Sequence, residues 1–125
     1  MTIEQMTKNE LGAWGENLAV KHLKDSGWAI LERNWRTRGG ELDIVAFDPQ
    51  RGAIVAVEVR TRRTRIAGTA EESVTYAKVN RLRGLLLSWL VQRGSFAAEI
   101  SVDVIAVAVG DDGLHTISHV TDVTS

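Results

Sequence analysis

The chain of 125 residues contains no cysteine, which excludes disulfide cross-links and thiolate metal centres and is compatible with a reducing compartment. No leader is expected either, since Met1-Thr2-Ile3-Glu4-Gln5 has neither the basic nor the apolar region of a signal peptide. Long apolar runs are missing as well. Stretches such as Leu85-Leu86-Leu87 and then Trp89-Leu90-Val91 fall far short of the roughly 20 residues that span a bilayer. These absences point to a cytoplasmic protein with no membrane partner. No P-loop, dinucleotide-binding glycine pattern or Ser/His/Asp logic is present. His22, His115 and His119 have no metal-ligand spacing to one another and read as structural or exposed.

What is present is an ordinary globular composition, 44% hydrophobic and 25% charged, sized for one domain over residues 1–125. The net charge of −1 hides an asymmetry. Residues 33–83 carry eleven bases against six acids, a net +5, whereas the remainder is −6. A basic segment in a neutral protein attracts polyanions locally, although a solvated arginine-rich surface has the same composition.

Apolar spacing at Leu11, Trp14, Leu18 and Leu23 predicts a helix from about Thr7 to Ser26, stopped by Gly27. Gly12 and Gly15 weaken that pattern and fit best where the helix lies close to another backbone. Strands are expected over 28–35, 41–47 and 53–60, joined by turns at Gly39-Gly40 and Asp48-Pro49-Gln50-Arg51-Gly52. A basic loop over 61–68 then leads to a second helix. Its start is either Thr69, with Glu72 as a capping box, or Thr75, which would place Lys78 in the first turn. Strands over 100–109 and 114–120 complete an α/β order, αβββαββ, in which a mixed sheet carries packed helices.

The chemistry concentrates in Glu41-Leu42-Asp43 and Glu58-Val59-Arg60. Members of each pair two residues apart share a strand face. A hairpin turning through 48–52 sets Asp43 beside Glu58, and two carboxylates in otherwise apolar strands are costly without a cation. Such a pair suits Mg²⁺ or Mn²⁺, with Arg60 beside a phosphate; a cross-strand charge pair on an exposed face is the plainer alternative. Lys78 in a first turn would help hold a phosphate. Asp103, set among Val102, Val104 and Ile105, is expected to pair with an arginine at the core edge.

Gly12-x-x-Gly15-Glu16, Arg33-Asn34-Trp35-Arg36, Gly40-Glu41-Leu42-Asp43-Ile44-Val45, Val57-Glu58-Val59-Arg60-Thr61-Arg62 and Val102-Asp103-Val104-Ile105 together resemble the YraN-like family of small bacterial proteins. That family is similar to a compact PD-(D/E)XK nuclease, near the archaeal Holliday-junction resolvases. The resemblance covers about residues 10–109. It implies a restriction-endonuclease-like fold and divalent-metal cleavage of DNA, branched or structured DNA included, by a protein whose resolvase relatives tend to be dimers. Asp43, Glu58 and Glu16 would hold the metal, with Arg60 and Lys78 on the phosphate. Arg36, Arg38, Arg62, Arg63, Arg65 and Arg81 would grip the nucleic acid. Arg60 departs from the superfamily pattern, which has lysine there; arginine stabilises charge but cannot act as a base. Lys78 therefore supplies the lysine, or the metal alone activates water, or cleavage is lost and binding alone remains.

Overall fold

Thr7 opens the first helix by a reciprocal cap: its Oγ1 accepts from the Glu10 N–H (3.2 Å) while Glu10 accepts from the Thr7 N–H (2.9 Å). In this computed structural model, which describes residues 2–63, 74–97, 99–110 and 112–123, that helix is α1, Lys8–Asp25. A short 3₁₀ turn, Ile3–Gln5, precedes it. Three strands follow, β1 (Ala29–Thr37), β2 (Gly40–Asp48) and β3 (Ala53–Arg63), then α2 (Tyr76–Arg93), β4 (Glu99–Val109) and β5 (His115–Val120). The expected α/β order is the observed one.

The strands form a single sheet in the order β1-β2-β3-β4-β5, with β3 and β4 parallel and the other neighbours antiparallel. Parallel pairing requires a crossover, and α2 provides it. Each face takes one helix. Ala19, Val20 and Leu23 of α1 pack on Ile44, Ala46, Val55, Val57 and Ile105. Val79, Leu82, Leu86 and Trp89 of α2 pack on Leu42, Val45, Ala56 and Val102. Coverage on both faces explains the near-continuous apolar runs of β3 and β4, and each fully buried aliphatic side chain contributes about 1.5–3 kcal/mol.

Thr75 caps α2, its Oγ1 accepting from the Lys78 N–H at 3.2 Å, so Lys78 does fall in the first turn. The alternative start, Thr69 with Glu72, lies outside the described residues, as does Arg65. The basic loop was expected over 61–68, of which residues 64–68 lie outside the described residues. Thr61, Arg62 and Arg63 continue β3, paired in register with Val107, Ala108 and Val109. Ladder pairing is a backbone property, and the long apolar β4 offers a partner that side-chain charge does not refuse. Gly15 lies against β3: a Cβ there would collide with the Thr61 side chain. The close approach expected of this helix is therefore real at Gly15, whereas Gly12 faces open space.

Candidate active site

The alternation of β2 breaks at Asp43. Ile44 and Ala46 pack under α1 and Val45 under α2, yet Leu42 also packs under α2. Directly across on β1, between the pairs Arg33–Ile44 and Trp35–Leu42, stands Asn34 with φ 54°. Asn tolerates this left-handed conformation better than most residues. β2 and β3 pair only from Ile44–Val57 to Asp48–Ala53. Beyond that point β2 stays with β1 and β3 with β4, so Asp43 and Glu58 stand where the ladder between β2 and β3 ends.

The two carboxyls hydrogen-bond to each other, as the hairpin register required. Asp43 Oδ2 also accepts from the Val59 N–H at 3.0 Å. Burial, together with the hydrogen bond and the charge of Glu58, pushes Asp43 up to about 8. Burial opposes the Glu58 carboxylate too. Its hydrogen bond with Asp43 and the nearby Lys78 and Arg60 outweigh that opposition and set Glu58 below the usual glutamate range. Glu58 is 6% exposed and meets Lys78 Nζ at 3.1 Å and Arg60 Nη2 at 3.3 Å. Two adjacent carboxylates cannot both ionise cheaply, so the pair retains a proton that resides on Asp43.

Glu16 reaches the site because Gly15 brings α1 down onto Thr61, and its charge adds to the rise at Asp43. Its Oε2 accepts from Arg33 Nε (3.1 Å), Arg33 Nη2 (2.6 Å) and Asn34 Nδ2 (3.2 Å). Among the described residues no three His, Asp or Glu side chains stand as a ready-made metal group. The donor chemistry nevertheless fits a hard cation. Two contacting carboxyls that hold a proton for want of positive charge form an all-oxygen pair of the kind Mg²⁺ and Mn²⁺ take with water filling the other positions. Glu41 stands apart: it is exposed and paired with Arg36 at 3.1 Å. Strict alternation, which had put Glu41 and Asp43 on one face, does not survive the break at Asp43.

Of the basic residues expected at a nucleic-acid interface, three gather. Arg36 and Arg38 are exposed on the β1–β2 hairpin, and Arg81 is exposed one turn after Lys78. A Cβ on Gly40 would lie 3.8 Å from Arg81 Cδ, so the hairpin and α2 meet there. Arg62 is half-buried on β3. Arg63 is engaged elsewhere, its Nη2 donating to the Ile3 carbonyl (3.1 Å) and the Met6 carbonyl (3.4 Å). It straps the N-terminal segment to the sheet. Arg60 Nε is buried and has no acceptor among the described residues.

Arg33 and Asn34 had been noticed only as part of a motif, with no role. An Asn inside a strand of Leu, Trp and Arg was the available signal, since it favours left-handed backbone. Asp103 behaves as expected, pairing with Arg51 at 2.7 Å.

A model described as "Uncharacterised protein family UPF0102" matches residues 15–107, a span that holds Glu16, Asp43, Glu58, Lys78 and Asp103. A UPF0102 protein of Mycobacterium sp. (strain KMS) is 49% identical over 117 residues, covering 94% of this chain and 87% of its own. One from Mycobacterium avium is 47% identical over 120 residues, 95% of this chain and 94% of its own. A relative in Kineococcus radiotolerans is 43% identical over 118 residues, 94% and 95% of the two chains. With the match covering most of the chain and the motifs falling inside it, this protein belongs to family UPF0102, the YraN family.

Proposed function

We propose that this protein is a divalent-metal-dependent endonuclease that cleaves phosphodiester bonds in DNA. The observation that carries the reading is the carboxyl pair of half-buried Asp43 and buried Glu58, flanked by two cations, where β2 and β3 part. Asp43 and Glu58 would hold Mg²⁺ or Mn²⁺, with Glu16 alongside. When bound, the cation supplies charge stabilisation at the phosphoryl oxygen and the means of activating water at neutral pH.

The chain's own groups do the rest. Arg60 presents a buried Nε–H without an acceptor, a donor suited to a phosphate oxygen. Lys78 Nζ, 3.1 Å from Glu58, would take the part of the lysine missing from position 60. It sits in the first turn of α2, whose N–H groups favour an anion. Arg36, Arg38 and Arg81 extend the positive surface from the hairpin to α2 and would follow the DNA backbone without reading sequence. Arg62 is at the end of the same strand as Glu58, further along the path.

The test is cleavage of duplex, single-stranded and branched DNA with Mg²⁺ or Mn²⁺, using wild type, Asp43→Asn and Lys78→Ala. Wild type should cut at least one form, Asp43→Asn none, and Lys78→Ala at a rate reduced about 10²–10³-fold. A wild type silent on every form overturns the enzymatic reading. The arginine at position 60 favours a second reading, a non-catalytic nucleic-acid-binding protein on a nuclease fold. It expects salt-sensitive DNA binding indifferent to EDTA and cleavage, if any, only after Arg60→Lys.

A further inference from the structure

We infer that the free edge of β5 is a docking surface for a second copy of this chain, the two β5 strands pairing antiparallel about Ile117. The inference goes beyond the nuclease reading and uses none of the residues of that site.

The sheet has an edge at β1 and another at β5, and only the first is guarded. β1 carries Glu32, Arg33 and Arg36, a register shift between Ile30 and Glu32, and the left-handed Asn34. Charges and irregularities of this kind keep an edge from templating another strand. β5 has none of them. Leu114-His115-Thr116-Ile117-Ser118-His119-Val120 contains no Lys, Arg, Asp, Glu or Pro, and its ladder with β4 runs without a shift from Val109–His115 to Val104–Val120. At its ends Leu114 is 72% and Val120 38% exposed. The strand is also braced by α1, with Trp14 edge-on to His115 at 5.5 Å and His22 edge-on to His119 at 5.4 Å, so pairing costs little further ordering.

Backbone and side chains select the same register independently. Hydrogen-bonded pairs alternate along an antiparallel ladder. The Gly110 N–H donates to the Leu114 carbonyl at 2.8 Å, so the next β5 residues bonded to β4 are Thr116, Ser118 and Val120. The N–H and C=O groups of His115, Ile117 and His119 therefore point away from the sheet, and among the described residues no other backbone meets them. A second β5 turned about Ile117 sets Ile117 against the partner's Ile117 and His115 against the partner's His119. Every outward residue of both strands is then paired, through about six hydrogen bonds, and a slip of two residues in either direction loses some of them. The side chains match outward from the same centre: hydroxyls at Thr116 and Ser118, imidazoles at His115 and His119, aliphatic groups at Leu114 and Val120. Leu114 thus covers the partner's Val120, and Thr116 faces the partner's Ser118. An isologous contact needs this self-complementarity, whereas a foreign segment has no use for it. A strand pair of this length buries less than the roughly 1,200 Å² of a standard interface, which makes the dimer weak and reversible.

Sedimentation velocity of the full chain, with the thermal midpoint of each variant as a check on folding, tests the pairing. Wild type should pass from monomer to dimer between about 5 and about 500 µM, as suits so small an interface. His115→Pro removes an outward N–H and no bond to β4, at the first residue of the strand, where proline is tolerated. It should weaken the dimer about tenfold without lowering the midpoint. Thr116→Glu combined with Ser118→Glu sets acid opposite acid and should abolish the dimer, whereas Thr116→Lys combined with Ser118→Glu sets opposite charges across the axis and should keep it. A wild type still monomeric at about 500 µM overturns the inference and leaves the edge to a foreign extended segment. A dimer that His115→Pro and both charged variants leave intact forms through another surface, and overturns it equally.

Discussion

Two aspartates in one sheet, one buried and one half-buried, are treated in opposite ways. Asp103, fully buried on β4, accepts from Arg51 Nη1 (3.3 Å) and Nη2 (2.7 Å), Ser101 Oγ (2.9 Å), His119 Nε2 (2.9 Å) and the Asp122 N–H (2.9 Å). Burial works against its charge, but His119, Arg51, Asp122 and Ser101 overcome it and hold Asp103 down to about 2. Because the ionised acid only accepts, His119 carries its proton on Nε2, leaving Nδ1 to face His22 at 3.3 Å. Trp28 stacks edge-on against His119 at 5.4 Å and lies under Arg51 at 5.4 Å, completing a closed network. Asp43 has one backbone donor and a second acid, and burial lifts it to about 8. Burial alone decides neither value; the partners do. The Asp103 cluster is complete as it stands, whereas the Asp43 cluster has the form of a site that lacks positive charge until something brings it.

The sharpest way to break this comparison is one substitution made twice. Asp103→Asn replaces an acceptor by an amide that must point its own hydrogens at Arg51, His119 or Ser101. It takes from Arg51 one of its two buried carboxylates, Asp48 remaining as the other, so the loss falls near the lower end of the range for broken buried pairs, about 3 kcal/mol. Urea unfolding at pH 7 should show a loss of that size. A loss below about 1 kcal/mol would mean that the network is incidental.

Acid provides the next test. Asp103 titrates near 2 in the folded protein and near 3.9 when unfolded, so the unfolded chain binds the extra proton between those values. The stability it contributes is complete above about pH 4 and disappears as pH falls toward 2, a change of about 2–3 kcal/mol. Asp103→Asn has no such proton to take up. The gap between wild type and variant should therefore narrow over that window, and a gap constant from pH 5 to 2.5 would contradict the low value.

Much of this contrast was legible in the chain. The hairpin arithmetic that set Asp43 against Glu58 needed only the turn at 48–52, because antiparallel register is fixed by the turn. Lys78 followed from Thr75 as a cap, and the arginine partner of Asp103 from the cost of a lone buried charge. The exceptions share a cause: local rules do not register tertiary pairing. Sequence spacing dismissed His22 and His119, which meet only because α1 and β5 pack together; they are structural after all, but as partners in the Asp103 network. Arg63 looked like part of a free basic loop because nothing local announces that the carbonyls of Ile3 and Met6 will reach it. The face change at Asp43 was hidden because alternation presumes an unbroken strand, and the kink depends on Asn34 across the ladder.

A cation should exploit the difference. The Asp43–Glu58 pair carries a proton at neutral pH that a metal must displace, so binding is linked to release of about one proton. Mn²⁺ affinity should then rise about tenfold per pH unit from about pH 6 until Asp43 ionises near 8, and level off above. Calorimetry in two buffers of different ionisation enthalpy measures the proton directly. An affinity independent of pH across that range would show that the site is already fully ionised.

The smallest effect is the other half of the paired substitution, and its smallness is the point. At pH 7 Asp43 is mainly the neutral acid, donating toward Glu58 and accepting from the Val59 N–H. Asparagine is close to an isostere of that state: its amide N–H₂ can donate to Glu58 and its oxygen can keep the bond from Val59. Asp43→Asn should therefore change stability by less than about 0.5 kcal/mol near pH 4, where the unfolded aspartate is not yet fully ionised, against several for the same change at Asp103. The sign of its pH dependence is also reversed. A carboxyl with a raised folded pKa contributes fully below its unfolded value and loses that contribution as pH climbs through about 8. Wild type should thus weaken relative to Asp43→Asn from about pH 4 to about pH 8 in metal-free buffer and level off above, leaving the variant the more stable at pH 7. Equal losses for the two asparagine variants at pH 7 would erase the distinction between a finished network and a site waiting for charge.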